Sequence, residues 1–530
     1  MNLRSICFPM LSFRVLWLII LSASVGQTAI VQAQAFDPKL AAALNDALQP
    51  GVDTGASVAV RVLDADTGEV LLETPNADDA FIPASNMKLV TSATALDLYG
   101  PKRQLVTSFT VEDQTLVITA GGDPAFGDPA LLENRGLKPM DELDRLADKL
   151  IKAGISHLPN GVLVIDAVFD QALVHPSWHP ANLLHWYGAP VAGVSFNDNC
   201  IDVTFKPTEP GQPAELEVVP PAGDFVIRGQ AITAGLEEHS PELAKLPDVN
   251  VFQVGGKVGR VGGPYSKPVQ DPRVFLGSAT AEALRERGIQ VADRLVIQTE
   301  PLASVEQAGF THLAETPLLD VLGRVNTNSQ NMMAEAVAKL SGLAYDEVTG
   351  VADPRGSWES GHRAAVDFLR RIEVDASPLV AADGSGLSRD NRVSAGLISD
   401  LLMYMLVEHE HGEHFVNTMA ISGVRGSVRN RMGKNAMAEM KGRVYAKTGT
   451  IRGVSALSGY VFHDSGRVLV FSILHNDIDG SQTPYRRQQD EAVAALWRWL
   501  DSQPVPSDDV LKARPAQLRE SLEVVGVPGG

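Results

Sequence analysis

The chain has 530 residues, 45% hydrophobic and 21% charged, and its 64 Asp and Glu against 45 Lys and Arg give a formal net charge of −19. That length exceeds one ordinary core and the composition excludes a disordered chain, so two or three packed domains are expected. The acidity argues against a nucleic-acid partner, and two cysteines, Cys7 and Cys200, provide no disulfide framework.

Residues 1–35 read as a secretory signal peptide: Arg4 and Arg14 precede the apolar run 15–21, and small residues up to Ala33 and Ala35 offer a cleavage site. The apolar run is short for a membrane span, and Cys7 precedes it, where a lipid-attachment cysteine would not lie. The expectation is an exported, periplasmic protein with at most weak membrane or wall association.

Residues 57–73 read as two strands joined at Asp66-Thr67-Gly68. Pro83 and Ser85 then open a helix that Gly100 stops. Three residues apart on a helix share a face, so Lys88 can bring its amine to the Ser85 hydroxyl. A serine hydroxyl needs such a base, and a lysine in apolar surroundings serves because desolvation disfavours its charged form.

Strands follow over 105–118, a turn at Gly121-Gly122-Asp123-Pro124, helical spacing over 141–153 and a buried strand over 161–166. Residues 190–270 alternate short strands with Pro- and Gly-rich breaks, and the glycines of 255–263 lack the ending of a phosphate loop. Helical spacing returns at 279–287, 317–340, 358–371 and 394–407. Strands over 444–448, 456–462 and 467–474 precede a helix over 481–501, and the tail after Pro506 reads as loose.

Two further motifs join the first: Ser329-Gln330-Asn331 at a loop–helix junction and Lys447-Thr448-Gly449-Thr450 on a strand. Together they suit acyl transfer. Ser85 attacks and Lys88 takes its proton; Ser329 relays a proton to the leaving amine, and Asn331 holds the substrate amide. Lys447 and Thr448 meet a substrate carboxylate, Gly449 lets substrate lie against the strand edge, and the N–H groups of Thr450 and Ser85 form an oxyanion hole.

With these motifs the chain resembles the low-molecular-mass class C penicillin-binding proteins, the D-alanyl-D-alanine carboxypeptidase/endopeptidase family. The likeness runs over roughly residues 40–500 and includes Gly121-Gly122-Asp123-Pro124, Tyr187-Gly188-Ala189-Pro190, Ser195-Phe196-Asn197-Asp198-Asn199 and Asp383-Gly384-Ser385-Gly386-Leu387-Ser388. It implies an α/β (α+β) fold, a serine β-lactamase/transpeptidase-like domain whose antiparallel sheet is flanked by helices. Two smaller domains, β-rich, would be inserted between Lys88 and Ser329. The expected division is 36–104 and 308–503 catalytic, 105–188 and 270–307 the first insert, 189–269 nested within it, and 504–530 a flexible tail.

The resemblance further implies substrates among peptidoglycan stem peptides ending in D-Ala-D-Ala, their D-Ala cross-links, and covalent inhibition by β-lactams, with no cofactor or metal. It suggests Asp166 as the acid that meets the ammonium of the stem peptide's diamino acid; a strand-end aspartate capping a turn is the plainer reading. Gln330 stands where members often have Asn, and Gly426-Ser427-Val428 lacks a usual proline-containing turn.

Two other functions compete, a serine β-lactamase and a non-catalytic wall-binding protein. The Glu413–Asn417 pair mimics a lactamase loop but lies far past the second motif, and His409-Glu410-His411-Gly412-Glu413-His414 lacks the order of a zinc protease.

Overall fold

The strands Val454–Phe462 and Val468–Asn476 are buried at every position, which is why their sequence runs apolar without alternating. They lie at the centre of a six-stranded sheet in the computed structural model, which describes residues 37–301 and 309–526; the predicted signal peptide falls outside them. Val454–Phe462 pairs with Val444–Ile451, itself bordered by Ala420–Ile421. On the other side, Val468–Asn476 pairs with Ser57–Asp64, followed by Val70–Glu73, and every pairing is antiparallel.

Each face of this sheet carries helices. Leu44 and Leu48 of Pro38–Asp53, with Val493 and Trp497 of Thr483–Asp501, pack on Val58, Val60, Leu457 and Phe471. On the opposite face, Leu89 of Met87–Tyr99 and Leu401 of Ala395–Val407 meet Ala59, Leu63, Tyr460 and Leu474. Met87–Tyr99 is buried continuously from Met87 to Leu96, the polar Lys88, Thr91, Ser92 and Thr94 included.

A second core lies between. A mixed sheet ordered Leu295–Gln298, Val162–Ile165, Thr115–Ala120, Gln104–Glu112 and Phe310–Pro317 packs with the helices Pro139–Lys152 and Pro272–Glu286. Smaller sheets of three and four strands occupy residues 200–268. Among the described residues, no helix is long and apolar enough to cross a membrane.

Two expectations need correction. The helical spacing over 317–340 is two helices, Leu318–Thr327 and Asn331–Val348, broken where Ser329 takes φ 62°. The periodicity runs on because both helices bury apolar faces, whereas the break is set by polar side chains. Asn326 donates to the Thr418 hydroxyl, and Thr327 donates to the Thr418 carbonyl.

Nor is the tail loose. Ser507 caps the helix Asp508–Ala513, and Ala516–Val525 follows. Arg514 forks onto both oxygens of Asp66 at 2.7 and 3.0 Å, while Leu518 and Leu522 are fully buried in the main core. Three apolar residues at helical spacing were too few to mark this in sequence. Leu522→Ala should therefore lower unfolding free energy by about 2–4 kcal/mol, checked by denaturant titration.

Candidate active site

Ser85 sits in a tight turn, Ala84–Asn86, that feeds the helix Met87–Tyr99. Ala84 holds φ 46°, a strained conformation for a residue with a side chain. The surroundings impose it. Asn86 Nδ2 donates to Ser458 Oγ of the central sheet at 2.7 Å, and Gly386 presses against the Ala84 carbonyl where a Cβ would overlap.

Lys88 is fully buried. Its Nζ donates to Ser85 Oγ at 3.0 Å, Asn331 Oδ1 at 2.7 Å and the Ser385 carbonyl at 2.7 Å. Burial brings this amine down to about 7, against the opposing charges of Glu335 and Asp383. A neutral amine on a hydroxyl is therefore accessible near neutral pH.

The break before Asn331–Val348 turns Ser329 toward the sheet, where its Oγ accepts from Lys447 Nζ at 2.9 Å. Lys447 also donates to the Thr448 carbonyl; burial, then the like charge of Lys88, holds its amine well below the usual lysine range. Asn331 Nδ2 donates to the Tyr187 carbonyl at 2.8 Å, so this one side chain spans from Lys88 to the 186–188 turn.

Further along the strand Val444–Ile451, Thr448 Oγ1 donates to Ser427 Oγ at 2.9 Å, and the exposed Arg486 donates to Thr450 Oγ1 at 3.3 Å. A Cβ on Gly449 would lie 2.7 Å from the Pro83 carbonyl oxygen and 3.2 Å from the Ser85 amide nitrogen. A side chain there would force the nucleophile's turn off the strand. Three segments distant in sequence thus meet in one chain of contacts, Ser85–Lys88–Asn331 on one side and Ser329–Lys447 on the other.

A model of the D-Ala-D-Ala carboxypeptidase 3 (S13) family matches residues 40–496. The chain belongs to that family. It is accordingly a serine-type D-Ala-D-Ala carboxypeptidase. The D-alanyl-D-alanine carboxypeptidase of an Actinomadura species is 28% identical over 448 residues, 80% of this chain and 79% of its own. DacB of Haemophilus influenzae is 26% identical over 410 residues, 75% of this chain and 80% of its own. The solved penicillin binding protein 4 of Haemophilus influenzae shares the fold, with TM-score 0.69 at 22% identity over 86% of this chain and 99% of its own. That protein has also been solved complexed with a β-lactam.

Asp166 stands apart from the other eight expected residues, sharing no hydrogen bond with them among the described residues. Its carboxylate lies beneath the Gly193 N–H, which is 3.2 Å from both oxygens. Burial brings it up to about 6, and the charges of Arg273 and Lys339 oppose the shift. Glu413 pairs with His414 in the short helix Gly412–Asn417, which packs on the C-terminal helix rather than at Ser85.

Sequence reasoning missed Glu335, fully buried one turn after Asn331 on the same helix face, and the Ser385 carbonyl that takes the third Lys88 bond. The i, i+4 spacing from Asn331 is the signal for Glu335. A backbone carbonyl leaves none.

Proposed function

We propose that the protein cleaves D-alanyl bonds of peptidoglycan stem peptides and cross-links through an ester on Ser85. The observation that carries this is the single amine of Lys88 bonded at once to Ser85 Oγ and Asn331 Oδ1. Ser85 Oγ attacks the carbonyl of the penultimate D-Ala as Lys88 takes its proton. The N–H groups of Ser85 and Thr450 receive the developing oxyanion. Ser329 passes a proton to the departing amine, which leaves as free D-Ala or, from a cross-link, as the side-chain amine of the neighbouring stem's diamino acid, and water then hydrolyses the ester.

Asn331 orients the substrate amide. Lys447 and Thr448 hold the terminal carboxylate, and Gly449 leaves the strand edge open for the substrate backbone. Asp166 is the acid assigned to the ammonium of the diamino acid, supported by its position at the end of Val162–Ile165 and by its buried carboxyl. In this reading the six-stranded sheet and its helices are a transpeptidase-like domain, and residues 105–307 are two inserted domains. Export by residues 1–35 puts the enzyme beside its substrate in the periplasm. β-Lactams, whose strained amide mimics the D-Ala bond, acylate the same hydroxyl.

Incubation with benzylpenicillin followed by peptide mapping tests the assignment. The adduct is expected on the peptide containing Ser85, and an adduct elsewhere would refute it. Lys447→Ala should weaken peptides ending in a free carboxylate by about tenfold or more while affecting terminally amidated ones less. Comparison of kcat/KM for the two substrate sets checks this.

A further inference from the structure

Glu335 lies fully buried on the helix Asn331–Val348, facing the loop 383–388 that passes behind Lys88. Its Oε2 accepts from the Gly384 N–H at 2.8 Å and from Trp358 Nε1–H at 2.7 Å; its Oε1 accepts from the Ser385 N–H at 2.9 Å. Three donors and no acceptor surround it, an arrangement that favours the ionised carboxylate against the burial and the Asp383 charge that push its carboxyl up to about 8.

The same loop does two things for the reacting pair. The Ser385 carbonyl takes a hydrogen from Lys88 Nζ, and Gly386 abuts the carbonyl of Ala84, the residue before Ser85. Asp383 braces the loop's other end by accepting from the N–H groups of Gly386 and Ser388 and from Trp178 and Asn391. We propose that Glu335 is the positioning residue of the acylation step: by gripping the Gly384 and Ser385 N–H groups it aims the Ser385 carbonyl, and through it the Lys88 amine, at the Ser85 hydroxyl. The inference rests on the Ser85 ester mechanism proposed above.

Glu335 does not touch substrate or the reacting atoms, and it acts through the loop and through its charge. The charged groups facing Lys88 are Glu335, Asp383 and the buried Lys447. Those facing Glu335 in turn are Asp383 and Lys339, one turn further along its helix, with His175 beyond them. Lys339 stacks its amine 3.8 Å over the Trp358 ring and bonds Asp170, which closes the far side of the pocket.

Glu335→Gln keeps the shape, removes the charge and turns one acceptor into a donor facing an N–H. Acylation by benzylpenicillin at saturation is expected to fall about a hundredfold, with non-covalent affinity changing little, because a slackened loop misplaces the base. The acid limb of the acylation–pH profile should move down by about one unit, since the loss of a neighbouring negative charge lowers the Lys88 amine further. The limb position is independent of how much protein is folded, so partial misfolding does not obscure it. Should Glu335→Gln yield no folded protein, Glu335→Asp retains the charge and retracts it; a rate loss of about tenfold with the limb unmoved is then expected.

A Glu335→Gln protein with its limb unmoved, or one whose whole loss lies in non-covalent affinity, would overturn the proposal, as would a Glu335→Asp protein acylated at the original rate. Ser85→Ala in the same assay separates the two levels. Labelled Ser85→Ala would bring down the ester mechanism itself. Unlabelled Ser85→Ala beside a Glu335→Gln protein of unchanged profile would bring down the role of Glu335 alone.

Discussion

Ser85→Ala should abolish both release of D-Ala from a D-Ala-D-Ala peptide and covalent labelling by penicillin, with activity falling by about 10⁴-fold or more. The fold should survive. Ser85 is half-buried, and its turn is held by Asn86 on Ser458 and by the Gly386 contact, neither of which needs the hydroxyl. Substrate turnover, intact-protein mass after penicillin treatment and a melting curve together check it. Unchanged melting with no adduct and no turnover is the expected set, and an adduct on the variant would contradict it.

Lys88→Ala should be nearly as damaging, about 10³-fold or more in acylation. It differs from Ser85→Ala in what it does to pH dependence. Burial puts the Lys88 amine at about 7, so the neutral, proton-accepting form dominates above that pH and declines about tenfold for each unit below it. The wild-type rate of acylation should therefore climb with pH up to about 7 and then level, and the variant should lose that limb. A wild-type rate independent of pH between about 5 and 8 would exclude Lys88 as the base. Loss of Lys88 also removes its like charge from beside Lys447, so that amine should ionise more readily in the variant.

Local physics made much of the fold readable. The helix Trp358–Arg371 was expected at those bounds because its apolar residues keep a regular face, and Ser357 caps it in the structure. The two central strands of the six-stranded sheet, Val454–Phe462 and Val468–Asn476, were readable because burial at every position leaves a mainly apolar run. The tail was misread because Leu518, Leu522 and Val525 make a weak stripe, and the stabilising partner of Arg514, Asp66, lies 448 residues away.

The site divides in the same way. Ser85 lies in the turn that leads into the helix carrying Lys88, three residues on, so their pairing follows from spacing alone. Ser329 meets Lys447 across 118 residues and Lys88 meets Asn331 across 243, and only the motif set suggested those meetings. Glu335 went unnoticed because only its spacing from Asn331 marks it, while two of its three partners are backbone N–H groups, which carry no sequence signature. Asp166 was legible as an acid at a strand end, but its contact with the Gly193 N–H, 27 residues further on, was not.

The partnership of Ser57–Asp64 with Val468–Asn476 joins an early and a late segment of the polypeptide residue by residue, Ser57 opposite Asn476. The ribosome supplies the nucleophile's segment early and the closing strands late, and segments so far apart meet slowly. A chain that stops before residue 329 holds Ser85 and Lys88 without the Ser329, Asn331 and Lys447 that complete the site. The order of synthesis thus withholds the complete site until the strands over residues 444–476 have been made.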